Sequence, residues 1–426
     1  VPDRRRRGLG GGAAAIVLAS TLAGCGSDES GPPTLTWYIN PDSGGQASIA
    51  EACTDDAGGR YTIDTEVLPR DAAGQREQLI RRLAAEDSSI DIMSLDPPFV
   101  PEFAEAGFLA PVPEDLQERT TGGVVQGAVD GATWNDEIVA VPFWANTQVL
   151  WYRLSVVEAA GLDMTQPVTW EQIVEVAEEQ GVLIGAQGAR AESLTVWVNA
   201  LIESAGGHII EQNADAPEDI ELGLDTEAGQ RAAEVMRLVA DSDAAGAAFS
   251  TENEDASATG FEGDNGGFQV NYPFVYPRAV ETVGQELADD YGAAVYPRVD
   301  ADTPAAPPLG GIDLGVGAYS ENVDIAFEAV ECIRSEENQI AYFISDGNPA
   351  SLASAFDDPE VLDKFPMAPV IRESLELAAP RPQSPYYSEI TGGIQASYHS
   401  PASVGPQTAA DATEFITAVL AGEQLL

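Results

Sequence analysis

Apolar residues change their spacing repeatedly along the first third of the chain. Leu35 to Asn40 (LTWYIN) reads as a strand, Gln46 to Cys53 as a helix, and Tyr61 to Leu68 as a strand with period-two alternation. Asp71 to Ala85 returns to helical spacing, and Ile90 to Leu95 is a short apolar run with the length of a buried strand. A helix from Phe99 to Ala106 is ended by Gly107. Strands alternating with helices predict βαβ units and a mainly parallel sheet. Ligands bind such sheets at the loops beyond the C-terminal strand ends, and those loops carry Asn40 and Asp96.

From Leu150 to Ala258 the pattern becomes mostly helical, with predicted helices at Trp170–Gln180, Ser193–Ala205 and Thr226–Ala240. Thr169 before Trp170-Glu171 has the form of an N-cap with an acidic first turn. Proline- and glycine-rich stretches at 271–277 and 303–311 punctuate the second half. Helical spacing then recurs at Asn322–Arg334, Ile340–Asp346, Pro366–Ala378, Ser384–Ser397 and Gln407–Ala421. The chain shows no internal repeat.

Composition adds an address. Arg4 to Arg7 precede an uncharged apolar run, Leu9 to Leu22, that is too short to span a bilayer. Leu22-Ala-Gly-Cys25 follows, as a lipoprotein signal peptidase requires. Residues 1–24 are therefore expected to be a cleaved lipoprotein signal peptide, and Cys25 the lipidated first residue of the mature protein. An ordinary secretory signal with an incidental cysteine is the plainer alternative. The arginines leave both the general and the twin-arginine export routes open. Two acyl chains suffice for stable attachment to the outer face of the cell membrane. Residues 25–33 are polar and rich in breakers, as in a flexible tether.

The chain of 426 residues is large enough for two domains. Its formal charge of −50, with Lys364 as the only lysine, excludes nucleic acid and anionic headgroups as partners and suits a soluble monomer. Beyond Cys25 only Cys53 and Cys332 remain, an even pair in an oxidising compartment; a disulfide is expected, with two buried free thiols as the alternative. His208 and His399 are isolated and no Cys or His stands at ligand spacing, so neither metal nor cofactor is implied.

Several segments, in order, carry a family resemblance. They are Leu35–Asn40, Asp91–Asp96 followed by Phe103–Pro111 (FAEAGFLAP), Ile138–Trp144 (IVAVPFW) and Val149–Arg153 with Ala160-Gly161. Gly260-Phe261 with Gly267–Pro273 (GFQVNYP), Leu309–Gly311 with Gly315–Gly317, Ala341–Phe343 and the turn Gly347–Ala350 (GNPA) complete the set. Together they resemble the extracytoplasmic solute-binding proteins of carbohydrate ABC transporters, across nearly the whole mature chain. Arg381–Tyr387 (RPQSPYY) is similar to a segment of the trehalose/maltose-binding branch, where the arginine reaches a sugar hydroxyl. Tyr272 stands where that family usually has Trp, and Ile312 where an aromatic is frequent, which reduces stacking area against a sugar face.

The resemblance implies an α/β, periplasmic-binding-protein-like fold: two α/β lobes joined by a multi-strand hinge, with an interlobe cleft. Lobe 1 would comprise 34–143 with a return segment of about 312–355, and lobe 2 144–311 with C-terminal helices of about 356–426. The helix around Cys332 would then return to lobe 1, where Cys53 sits, so the disulfide would not lock the hinge.

Sugar recognition needs planar hydrogen-bonding side chains around hydroxyls and aromatic rings against C–H faces. Asp96, at a strand end before two prolines, is a candidate; it could instead cap a helix. Asn40 and Asn146 are candidates that could instead be turn residues. Trp144 could stack on a sugar or belong to the core, and Tyr272 and Tyr276 are candidate cleft aromatics. Glu254 could bind a hydroxyl or belong to a solvated acidic run, 251–255. Gly310 and Gly311 would admit a ligand to the backbone or form a hinge turn. Arg381 would reach the ligand or make a surface salt bridge.

The expected function is capture of a disaccharide, trehalose first and maltose-type glucosides next, by hinge closure, and delivery to an ABC permease. A secreted glycoside hydrolase is the competing class. Acidic residues are abundant enough to pair by chance, and the chain has no G-x-S-x-G elbow. A lipoprotein that binds another protein rather than a sugar is the third.

Overall fold

The computed structural model describes residues 31–426; the predicted signal peptide, Cys25 and most of the predicted tether lie outside the described residues. Along the chain run β1 (Thr34–Ile39), β2 (Thr62–Val67), β3 (Ile92–Leu95), β4 (Val141–Thr147) and β5 (Val149–Arg153). They are followed by β6 (Leu183–Gly185), β7 (Gly266–Asn271), β8 (Tyr291–Ala294), β9 (Pro308–Val316) and β10 (Ala379–Pro380).

Two sheets result. The first has the order β10-β9-β3-β1-β2, with β4 also paired to β9. Its βαβ part is parallel, Trp37 lying opposite Ile92, whereas β9 runs antiparallel to both β3 and β4. The second has the order β8-β5-β7-β6. The alternation of β2 survives as buried Ile63 beside exposed Asp64, while β3, β4 and β5 are buried at every residue, as strands covered on both faces must be.

Each sheet has its own core, which makes two α/β lobes. Leu35, Trp37, Phe143 and Tyr342 belong to the first; Trp170, Trp197, Met236 and Phe268 belong to the second, against which Ile390, Ile394 and Ile416 of the C-terminal helices also pack. The chain crosses between the sheets at Gln148 and again between β8 and β9. There Val149, Trp151, Leu309, Phe343 and Phe365 form a shared apolar cluster. No helix among the described residues is long and apolar enough to cross a membrane.

Local signals explain the element ends. Helix Trp170–Gln180 begins with a reciprocal capping box between Thr169 and Gln172 and stops at Gly181, whose φ of +67° is left-handed. Helix Ala72–Leu83 is capped by the Asp71 carboxylate, which accepts from the Gly74 N–H. The helix expected from Ile340 begins earlier, at Glu336, because Ser335 caps it. The helix expected from Ser384 begins only at Tyr387, since the prolines at 382 and 385 keep 381–384 out of the helix and 385–386 form a turn. The glycine- and proline-rich stretch ending at 311 proves to open β9, a central strand of the first sheet.

Cys53 and Cys332 form a disulfide with their Cα atoms 5.8 Å apart. It joins helices Gly45–Asp56 and Val323–Ile333, and both cysteines pack in the first-lobe core. The hinge is free of it.

Candidate functional site

Asp96 leaves the end of β3 into a short 3-10 turn, Pro97–Phe99. Its side chain does not cap that turn. Instead its two oxygens accept from the two terminal nitrogens of Arg381, at 2.5 and 3.1 Å. Arg381 follows β10 and is only 5% exposed. The same guanidinium donates to Glu192, at 2.8 Å, in the first turn of helix Glu192–Ser204. Glu192 also accepts from the Tyr387 hydroxyl and, at 2.7 Å, from the Thr391 hydroxyl. One cation is thus shared by two carboxylates, one from each lobe, in bidentate and charge-assisted geometry.

Burial pushes the Glu192 carboxyl above its ordinary range, and Arg381 pulls it back only in part. Burial alone would lower the Arg381 pKa; the charges of Asp96, Tyr387 and Glu192 outweigh it and hold the guanidinium firmly protonated.

Glu254 and Tyr272 join this group. Glu254 opens helix Glu254–Glu262, capped by Asn253, and its carboxyl is raised chiefly by burial, with Glu192 and Arg381 close enough to act on it. Tyr272 follows β7. Its neighbour Asn271 ties the strand end to the helix by donating to the Glu254 carbonyl at 2.9 Å. Burial raises the Tyr272 phenol, which feels Arg381, Glu254 and Asp96. Four of the predicted residues, Asp96, Glu254, Tyr272 and Arg381, therefore converge.

The other candidates are placed differently. Asn40 stands just past β1; its carbonyl accepts from Gln46, and its buried Oδ1 has no partner among the described residues. Asn146 lies in β4 opposite Gly310, its Oδ1 accepting from the Thr147 N–H. Trp144, on the same strand, is 8% exposed and packs edge-on against Tyr342 in the first-lobe core. Tyr276 sits on helix Val275–Thr282 against the apolar hinge cluster, where its hydroxyl accepts from the Gln285 amide at 3.4 Å. Gly310 and Gly311 lie in β9 paired with β4. Gly311 has a φ of +129°, and a Cβ there would sit 2.2 Å from the Trp144 carbonyl oxygen. A tight strand crossing requires that glycine.

Sequence reasoning missed three residues here. Glu192 resembles any acid in a first helical turn. Thr391 carries no signal. Asp313, in β9 opposite Leu95, is 2% exposed, and its Oδ2 has no partner among the described residues. Burial first, and then the Asp96 charge, push its carboxyl well above the usual range.

The sequence profile of the bacterial extracellular solute-binding proteins matches residues 46–340. The chain belongs to this family. A probable ABC transporter-binding protein of Deinococcus radiodurans is 24% identical over 406 residues, covering 91% of this chain and 93% of its own. Among solved structures, maltose-bound MalE3 of T. maritima superposes with a TM-score of 0.78 at 22% identity, covering 92% of this chain and all of its own. An ABC transporter solute-binding protein of Agrobacterium radiobacter in complex with ribitol gives 0.76 at 18%, covering 91% of this chain and 98% of its own. At such identities the solved structures show the fold, a periplasmic-binding-protein-like pair of lobes with a cleft between them. As an extracellular solute-binding protein the chain is exported and is a binder, not an enzyme, which sets aside the hydrolase reading. The buried carboxylates are then read as hydrogen-bonding groups rather than as an acid–base pair.

Proposed function

We propose that the protein captures a disaccharide, trehalose first and maltose-type α-glucosides next, by closing its lobes, and delivers it to an ABC import permease. The observation that carries this reading is the convergence of Asp96, Arg381, Glu192 and Glu254 beside the Tyr272 ring, with contributions from both lobes. Such a set supplies charged, planar hydrogen-bonding groups for hydroxyls and one aromatic face for C–H groups. Asn40, whose side-chain Oδ1 has no partner among the described residues, and Asn146 complete the hydrogen-bonding set at the strand ends. The division we propose is lobe 1 as 34–143 with about 312–355 and lobe 2 as 144–311 with about 356–426, the boundaries moving to about 147 and 308 because β4 and β9 pair in the first sheet and Trp144 packs in the first-lobe core. The protein acts as a monomer, held near its permease by a lipid on Cys25, which raises effective concentration there.

A linear polyol is the second reading. With Trp144 in the core, Ile312 5% exposed and Tyr387 buried beside Glu192, Tyr272 is the ring proposed for stacking, which is a small area for a disaccharide.

Thermal denaturation in the presence of a panel of trehalose, maltose and mannitol tests the ligand. A sugar at one hundred times its Kd stabilises by about 2.7 kcal/mol. The reading expects a clear shift with a disaccharide and none with mannitol. A shift with mannitol alone selects the polyol, and no shift with any sugar refutes the sugar-binding reading. Replacing Cys25 by Ala is expected to leave this shift intact and to abolish retention of the protein on the membrane.

A further inference from the structure

The chain leaves the first sheet at β10, where Pro380 pairs with Leu309 of β9, and residues 381–387 form a strap with several hydrogen bonds to the second lobe. Asn199 donates to the Pro380 carbonyl at 3.2 Å, Asn213 to the Gln383 carbonyl at 2.9 Å, and the Tyr386 hydroxyl to the Asp215 carbonyl at 3.1 Å. Glu192 takes both Arg381 and Tyr387. The opposite side of the same strap grips one turn of the first lobe, Asp96–Phe99. Arg381 pairs with Asp96, Gln383 donates to the Pro97 carbonyl at 3.4 Å, and Tyr387 packs edge-on against Phe99 with ring centroids 5.3 Å apart.

Charge makes Arg381 the centre of that grip. An arginine held by Asp96 alone would be free to follow that residue or to swing into solvent. Glu192 prevents both. It is itself anchored by Thr391, whose hydroxyl also meets Thr195 at 2.7 Å, so the carboxylate is fixed to two helices of the second lobe before it touches the arginine. Among the described residues a second ion pair joins the two lobes, Arg70 with Asp255 at 3.4 Å, but its side chains are 80% and 59% exposed and it contributes little.

We infer that Glu192 is a positioning residue for lobe closure: it holds Arg381 on the second lobe so that the guanidinium's free edge latches Asp96 of the first. This rests on the reading that the protein works by closing its lobes, and not on which sugar it takes. The latch biases the protein toward the closed arrangement, and a ligand that binds the closed form gains from that bias. The Asp96 pair ties a first-lobe turn to a guanidinium that Glu192 holds against the second lobe, so parting of the lobes is expected to break the Asp96 pair before the Glu192 pair.

Small-angle X-ray scattering of the purified full-length chain without added sugar tests this directly, on wild type, Glu192→Gln, Asp96→Asn and the double variant. Both single variants are expected to increase the radius of gyration, and the double variant to add nothing to the larger of the two. Melting curves identify any variant that fails to fold, in which case Arg381→Lys takes its place, since an ammonium cannot hold both carboxylates in bidentate geometry. Maltose affinity, measured in parallel, is expected to fall about ten-fold in Glu192→Gln, in proportion to the closed fraction lost. A radius unchanged in both single variants, with melting temperature lowered in Glu192→Gln, would show a merely structural carboxylate and overturn the inference. Failure of maltose to bind wild type would count against the proposed ligand, and scattering would still decide the latch.

Discussion

Replacing Arg381 by Met removes the cation between Asp96 and Glu192 while roughly conserving volume. Both carboxylates keep some contact with water, 18% for Asp96 and 17% for Glu192, so the effect belongs at the lower end of the range for breaking a buried pair. About 3 kcal/mol of stability at pH 7.5 is expected. Glu192 should account for most of it. Asp96 can regain water if the lobes part, whereas Glu192 stays enclosed with only the Tyr387 and Thr391 hydroxyls as donors. Its carboxyl, already raised by burial, loses the charge that was lowering it and rises further. An acid whose folded pKa exceeds its unfolded value is most favourable to the fold below the unfolded value, and that contribution is lost as pH rises. The deficit of Arg381→Met should therefore be largest at pH 7.5 and shrink toward pH 5. Urea denaturation of wild type and variant at both pH values measures it. Adding Glu192→Gln to Arg381→Met should restore part of the loss, because the amide carries no charge to strand. A deficit below about 0.5 kcal/mol, the ordinary range for a surface change, or one independent of pH, would refute the argument.

Further expectations follow from other parts of the fold. Gly311→Ala places a Cβ against the Trp144 carbonyl at a left-handed φ and should cost about 3 kcal/mol or more, read as a lowered urea midpoint; a neutral result would mean that the crossing strands can part freely. Reducing Cys53–Cys332 should cost about 2–4 kcal/mol yet leave sugar affinity unchanged, since both cysteines belong to the first lobe; affinity that tracked reduction would place the bond across the hinge. Burial pushes Glu252 up to about 7, above its unfolded 4.5, so melting temperature should fall as pH rises through that window, and Glu252→Gln should flatten the slope; an unchanged slope would assign it to other groups.

The first lobe was legible because its strands and helices carry different apolar periods, as in the alternation of Tyr61–Leu68 against the helical spacing of Asp71–Ala85. β9 was hidden by its own glycines and by the prolines before it. What makes it a central strand is pairing with β3 and β4, more than 150 positions away, and no local pattern records that. In the site, Asp96 could be named because a strand end and two prolines mark it, and Arg381 because its segment resembles one of the trehalose/maltose-binding branch, although they are 285 residues apart. Their contact with one another could not be read. Glu192 was invisible for a physical reason: an acid in a first helical turn is favoured by the helix dipole whatever else it does. Asp313 was missed because burial, not spacing, makes it unusual.

The central claim is that the group around Asp96 and Arg381 binds a sugar between the lobes. Isothermal titration of wild type and Asp96→Ala with trehalose and with maltose tests it most directly. The account predicts one site per chain in wild type for at least one of these disaccharides, and at least ten-fold weaker binding in a folded Asp96→Ala. Equal affinity in the two proteins, or no heat of binding from either sugar in wild type, would contradict it.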